Sequence, residues 1–271
     1  MLFFFAIGLS VADENTDYRV VSDIAYKDTG NVAHLLDIYL PLDTVDFPVV
    51  IYVTGGIGNN DGKGDGADIG RYFASQGIAG VIPNRSSNVD ADLDVNADET
   101  ANVIAWTLDN IELYGGNPSQ IVIMTLSSGA RHVALSVLNP VYLATYDYDM
   151  TNVAGMIFMG GLLETEANHV VLNLIPDRNP ETVSYFSPIN YISVDMPPSL
   201  FINGNDEVES ILEFTQEFSD RSNAIGSPSS WVVVEGNHAG IRAEIGTDND
   251  ETTAIIADWL ATVGINGFTT E

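Results

Sequence analysis

The apolar residues of this chain arrive in short blocks, and each block stops at glycine or small polar residues. PVVIYV (48–53) runs into Thr54-Gly55-Gly56, and QIVIMTL (120–126) into Ser127-Ser128-Gly129. SLFIN (199–203) runs into Gly204, and SWVVV (230–234) into Glu235-Gly236-Asn237-His238. Blocks of this length, rich in Val, Ile and aromatics, read as strands buried on both faces. Stretches with helical spacing separate them, at 67–76, 98–114, 128–138, 207–222 and 250–263. In the second of these, Ala101, Ile104, Ala105, Leu108 and Ile111 share one face. Segments 18–25 and 33–40, joined at Asp28-Thr29-Gly30-Asn31, read as an opening antiparallel pair. The alternation predicts an α/β fold: a mostly parallel central sheet with helices on both faces. The irregular, proline-containing stretch 162–195 suits a small lid.

Length and composition narrow the class further. The 271 residues fit one large domain, with no internal repeat or linker, so 13–271 reads as a single unit. Residues 2–12, LFFFAIGLSVA, are too few to span a bilayer. They end in small residues followed by Asp13-Glu14-Asn15, which reads as a signal peptide over 1–12, without its basic leader, and a secreted or periplasmic protein. Thirty-eight acidic residues against nine basic ones give a net charge of −29. Such a chain lacks the cations that nucleic acid and anionic membrane surfaces require. A carboxylate coat of this kind suits work at high salt, where self-repulsion is screened. The absence of Cys excludes disulfides, thiolate metal sites and a Cys nucleophile.

The chemistry sits where strands end. In Thr125-Leu126-Ser127-Ser128-Gly129 a serine stands between a buried strand and a helix, the place where a tight turn lifts a hydroxyl above the sheet. Position −2 is Thr125 where the usual pattern has Gly, and Gly129 holds +2. After PVVIYV, the amides of Gly55 and Gly56 can point into a site and, with the Ser128 amide, hold a developing oxyanion. An acid follows the SLFIN strand and His238 follows the next one, in the order Ser127, Asp206 or Glu207, His238. His238 then serves as general base to Ser127, and the acid fixes its tautomer. Residue type favours Asp206 as that acid, and motif spacing favours Glu207.

These residues resemble the α/β-hydrolase superfamily, most of all secreted carboxylesterases of the hormone-sensitive-lipase, feruloyl-esterase-like and kynurenine-formamidase-like branches. The resemblance covers about residues 33–262 and is carried by LLDIYLP (35–41), YVTGG (52–56), the run 98–130 that includes YGGNPSQI, NGNDEV (203–208) and EGNHAG (235–240). It implies Ser127 as nucleophile, His238 as base, and Gly55 and Gly56 as the oxyanion loop. The family's loop begins with His where this chain has Thr54. The implied activity is hydrolysis of carboxylic esters through an acyl-enzyme, without a cofactor, on a small-molecule ester that is neutral and short-chain or aryl. Thr54 and Thr125 motivate a rival reading, an inactive binding scaffold; an amidase or peptidase on the same fold is a third.

Other candidates read as structural. His34, His132 and His169 have no second ligand at metal spacing. The loop 88–99 alternates Asp90, Asp92 and Asp94 in a way that mimics a Ca²⁺ loop, but Leu93 stands where Gly is usual, so a solvated acidic loop is favoured. Phe158, Met159, Leu162 and Leu163 follow a strand end and suit either an acyl pocket or the core.

Overall fold

The computed structural model describes residues 17–56, 62–86, 93–163, 179–248 and 250–266. Eight strands form one sheet in the order β1-β2-β4-β3-β5-β6-β7-β8. They are β1 (Tyr18–Ala25), β2 (Leu35–Pro41), β3 (Phe47–Val53), β4 (Ala79–Pro83), β5 (Gly116–Leu126), β6 (Gly155–Met159), β7 (Ser199–Gly204) and β8 (Ser229–Val234). The pairs β1–β2 and β2–β4 are antiparallel, and every pairing from β4 to β8 is parallel.

The two-residue period of a strand explains the layering. In β3, Val49, Ile51 and Val53 join a core on one face of the sheet, while Val50 and Tyr52 join a second core on the other. The first core is covered by α3 (Leu93–Asn110) and α4 (Gly129–Leu138), and Phe218 of α7 (Glu209–Ala224) packs there too. The second is covered by α2 (Ala67–Ser75), through Ile69 and Phe73, and by α9 (Glu251–Thr262), through Ile256 and Leu260. Short helices α1 (Gly62–Asp65), α5 (Pro140–Leu143), α6 (Pro180–Tyr185) and α8 (Gly240–Ala243) fill the connections.

The chain leaves β3 toward β4 and then crosses back to β5, on the opposite side of β3. Strand order thus reverses between β3 and β5, and the carboxyl ends of strands at such a reversal are where α/β sheets form a crevice. Thr54-Gly55-Gly56 and Ser127 lie at these two ends.

Two expectations change, and others fall outside the described residues. Helix α3 begins at Leu93, five residues before the expected start, and so absorbs Asp94 and Glu99 from the acidic loop. Residues 179–195 do not form a lid: Val183, Phe186 and Ile189 are buried in the first core, which pins this stretch to the body. Residues 164–178 of that stretch, the apolar run 2–12, His169, Asp90 and Asp92 lie outside the described residues.

Candidate active site

Ser127 sits at the turn between β5 and α4 with φ of +57°, a backbone region that costs a non-glycine residue about 1–3 kcal/mol. Neighbouring strands hold it there. Its N–H donates to the Met159 carbonyl (2.9 Å), and its carbonyl accepts from the Ala130 and Leu162 amides (3.1 and 3.3 Å). The bulkier residue at −2 is accommodated by its own hydroxyl: Thr125 is fully buried and Oγ1 donates to the Val53 carbonyl at 2.7 Å. That arrangement makes glycine obligatory at +2, since a Cβ on Gly129 would collide with Thr125 Oγ1.

The histidine and its acid come from adjacent strands. His238 lies in the loop after β8, and its Nδ1 is 2.7 Å from Glu207 Oε1 in the loop after β7. The Glu207 side chain is fully shielded from solvent, while that of His238 is 39% exposed. This corrects the expectation for Asp206, which is exposed and uses only its backbone here, its N–H donating to the Gly236 carbonyl (3.0 Å). The chain turns so tightly at Asn205-Asp206 that the next side chain, Glu207, is the one swung inward.

Glu207 is itself held. Its Oε2 accepts from Asn203 Nδ2, and Asn203 Oδ1 accepts from Trp231 Nε1 at 2.9 Å. The junction after β6 comes equally close: a Cβ on Gly160, at φ +52°, would overlap Glu207 Oε1 and lie 2.6 Å from His238 Nδ1. Sequence reasoning quoted Asn203 only within SLFIN and NGNDEV, read Trp231 as core and did not name Gly160. Asn203 and Gly160 sit at strand ends, and Trp231 lies inside β8 beside Asn203.

Ser127, Glu207 and His238 line one open cleft of about 460 Å³, together with Leu162, Val208, Ile211 and Ala239. Of the residues expected to form an acyl pocket, only Leu162 reaches it. Phe158 is stacked on Phe201 at 5.2 Å in the core, and Met159 and Leu163 are buried.

In the loop after β3, expected to hold an oxyanion, the Gly56 N–H points to the elbow and donates to Ser128 Oγ at 3.0 Å. Ser128 precedes α4, so its own amide belongs to the group of N–H donors that a helix start leaves without intrahelical partners. Gly55 and Thr54 present their carbonyls to Arg85, as does Gly56. Arg85 follows β4, one of only nine basic residues in the chain, and sequence reasoning passed over it.

The remaining described histidines are structural. His34 pairs with buried Glu99 (Nε2 to Oε1, 3.0 Å). His132 is fully buried without a hydrogen-bond partner, and burial pushes it well below its ordinary value, with Arg85 and Arg131 adding to the shift. Asp94, the described member of the weak Ca²⁺ set, accepts from the hydroxyls of Tyr142 (2.6 Å) and Tyr185 (3.3 Å). Among the described residues no three His, Asp or Glu side chains are grouped to hold a metal.

The BD-FAE family model matches residues 36–152. The protein named "Probable isoprenylcysteine alpha-carbonyl methylesterase ICMEL1" of Oryza sativa subsp. japonica is 33% identical over 105 residues, 38% of this chain and 25% of its own length. "Esterase LipQ" of Mycobacterium tuberculosis is 28% identical over 208 residues, 69% of this chain and 48% of its own. The chain therefore spans no more than about half the length of these two relatives. Among solved structures, esterase B from Lactobacillus rhamnosis superposes with a TM-score of 0.79 at 16% identity, over 93% of this chain and 90% of that one. A truncated carbohydrate esterase from gut microbiota does so with 0.77 at 19%, over 93% and 98%. By its sheet order, its strand-to-helix serine turn and its likeness to these solved structures, this chain has the α/β-hydrolase fold, and the BD-FAE model matches part of its length.

Proposed function

We propose that the protein is a serine carboxylesterase, with Ser127 as nucleophile, His238 as general base and Glu207 as the acid that orients it. The observation that carries this reading is the buried Glu207 carboxylate on His238 Nδ1, in a cleft that also exposes Ser127. A carboxylate accepting from Nδ1–H leaves Nε2 unprotonated and able to take a proton. Ser127 Oγ attacks the ester carbonyl and its proton passes to His238 Nε2. The tetrahedral oxyanion is held by the amides of Ser128 and the Gly55–Gly56 loop. Collapse breaks the bond to the alcohol, which leaves with the His238 proton. Water then gives a proton to His238 and attacks the acyl-enzyme; the bond to Ser127 Oγ breaks as His238 returns that proton to Oγ, releasing the acid.

The walls of the cleft favour a neutral substrate. Leu162, Val208, Ile211 and Ala239 offer apolar contact, while Asp206 on the same rim and the net charge of −29 repel anions. Short alkyl or aryl esters fit this chemistry. Labelling with a fluorophosphonate tests the assignment. An adduct on Ser127, lost in Ser127→Ala together with p-nitrophenyl acetate turnover, is expected. Unlabelled, inactive wild-type protein would make the fold a binding scaffold instead.

A further inference from the structure

We propose that Arg85 is the positioning residue of the oxyanion loop, setting the direction of the loop's amides before substrate arrives. This rests on the esterase reading above and adds a residue to it. Arg85 is buried to 4% exposure just beyond β4, and its guanidinium reaches across to the end of β3. Nε donates to the Thr54 carbonyl (3.2 Å), and Nη2 to the carbonyls of Gly55 (3.3 Å) and Gly56 (2.7 Å). One side chain thus holds three consecutive carbonyls.

Peptide geometry turns that grip into a catalytic consequence. The described peptide bonds are all trans, so each carbonyl points away from the N–H of the following residue. Fixing the Thr54 and Gly55 carbonyls on Arg85 therefore aims the Gly55 and Gly56 amides to the other side. The Gly56 amide bears this out: it meets an oxygen, Ser128 Oγ, on the elbow itself. Glycines have no side chain to resist rotation of the flanking peptide planes. Without the arginine these planes can turn their carbonyls into the site, where they would repel an oxyanion. Donors fixed before charge develops need no reorganisation during reaction.

Arg85 is braced in turn. Its Nη1 donates to the Ser86 carbonyl (3.3 Å). Glu99 accepts from the Ser86 amide and hydroxyl (2.8 and 2.6 Å) and pairs with His34. The buried negative charge of Glu99 favours the guanidinium that burial disfavours.

Arg85→Met and Arg85→Lys test the proposal, with thermal melts as a fold control. Lysine keeps the charge but lacks the planar fork that reaches several carbonyls at once. Both variants should lose kcat by about 10²-fold, the scale of one oxyanion donor, with KM within about threefold of wild type. Fluorophosphonate labelling should still fall on Ser127 but slow in parallel, because it passes through the same charged oxygen. A folded variant with wild-type kcat, or one that loses only KM, overturns the role of Arg85. If Arg85→Met does not fold, Arg85→Lys carries the same criterion. Failure of the esterase reading shows separately, as wild-type protein that takes no label.

Discussion

Replacing Glu207 by Gln is the sharpest test of the site, because the surrounding hydrogen bonds dictate how the new amide must sit. Trp231 Nε1 donates to Asn203 Oδ1, which commits Asn203 Nδ2 to donate toward residue 207. If the introduced amide keeps its oxygen on His238, its NH₂ faces the Asn203 NH₂, two donors in a buried space. Leaving a buried donor unpaired costs about 1–3 kcal/mol. The amide therefore turns, giving its oxygen to Asn203 and its NH₂ to His238 Nδ1. His238 must then accept at Nδ1 and carry its proton on Nε2, the tautomer that cannot take a proton from Ser127. A tautomer error of this kind lowers kcat by about 10⁴-fold, or about 5.4 kcal/mol of barrier. Asp206→Asn, at an exposed side chain without a hydrogen bond to His238, should keep kcat within about threefold, because it leaves the Glu207–His238 pair in place. Initial rates on p-nitrophenyl acetate, with thermal melts to establish folding, measure both. Glu207→Gln within about tenfold of wild type, or a large loss in Asp206→Asn instead, refutes the reasoning.

Gly160→Ala forces a Cβ into the Glu207–His238 pair at a positive φ. Displacing that pair should lower kcat by about 10²-fold, so near-normal turnover would show that the junction can relax. His132 supplies a pH dependence. Its native value is well below the 6.5 of the unfolded chain, so between the two values only the unfolded state binds the proton. Stability is then complete above 6.5 and falls as pH drops below it, by up to about 1.4 kcal/mol per pH unit. His132→Leu, which leaves no hydrogen bond behind, should flatten the melting temperature between about pH 7 and about pH 5, a window that brackets the unfolded value. Parallel curves for the two proteins would remove His132 from the acid response. With a net charge of −29, raising salt from about 0.1 to 1 M shortens the screening length from about 10 to 3 Å and should raise the melting temperature. A flat or falling response would separate the acidic surface from any salt adaptation.

The sheet and the places where chemistry sits follow from short-range signals along the chain. Strand blocks such as 48–53 and 120–126 are fixed by local runs of apolar, β-branched residues, and their ends by glycine and polar residues that cannot continue them. The ends of β3 and β5, the Ser127 turn and the His238 loop were therefore legible, while β5 starts at Gly116, four residues before its apolar block. The start of α3 was not legible, because Leu93 is buried in the first core, which α4 shares, and Glu99 is held by His34 and Ser86, partners that the pattern of 93–99 does not contain. The described part of the expected lid, 179–195, was misread for the same reason: Val183 and Ile189 are core residues, and the turn that holds Ile189 packs beside α4. Choosing between Asp206 and Glu207 also needed three dimensions, since both follow the same strand and only the turn geometry says which one faces inward. Arg85 carries no motif, and Asn203 opens NGNDEV without a role of its own. Their part in the site comes from where β4 and β7 end relative to β3 and β8, and the packing of the whole sheet decides that.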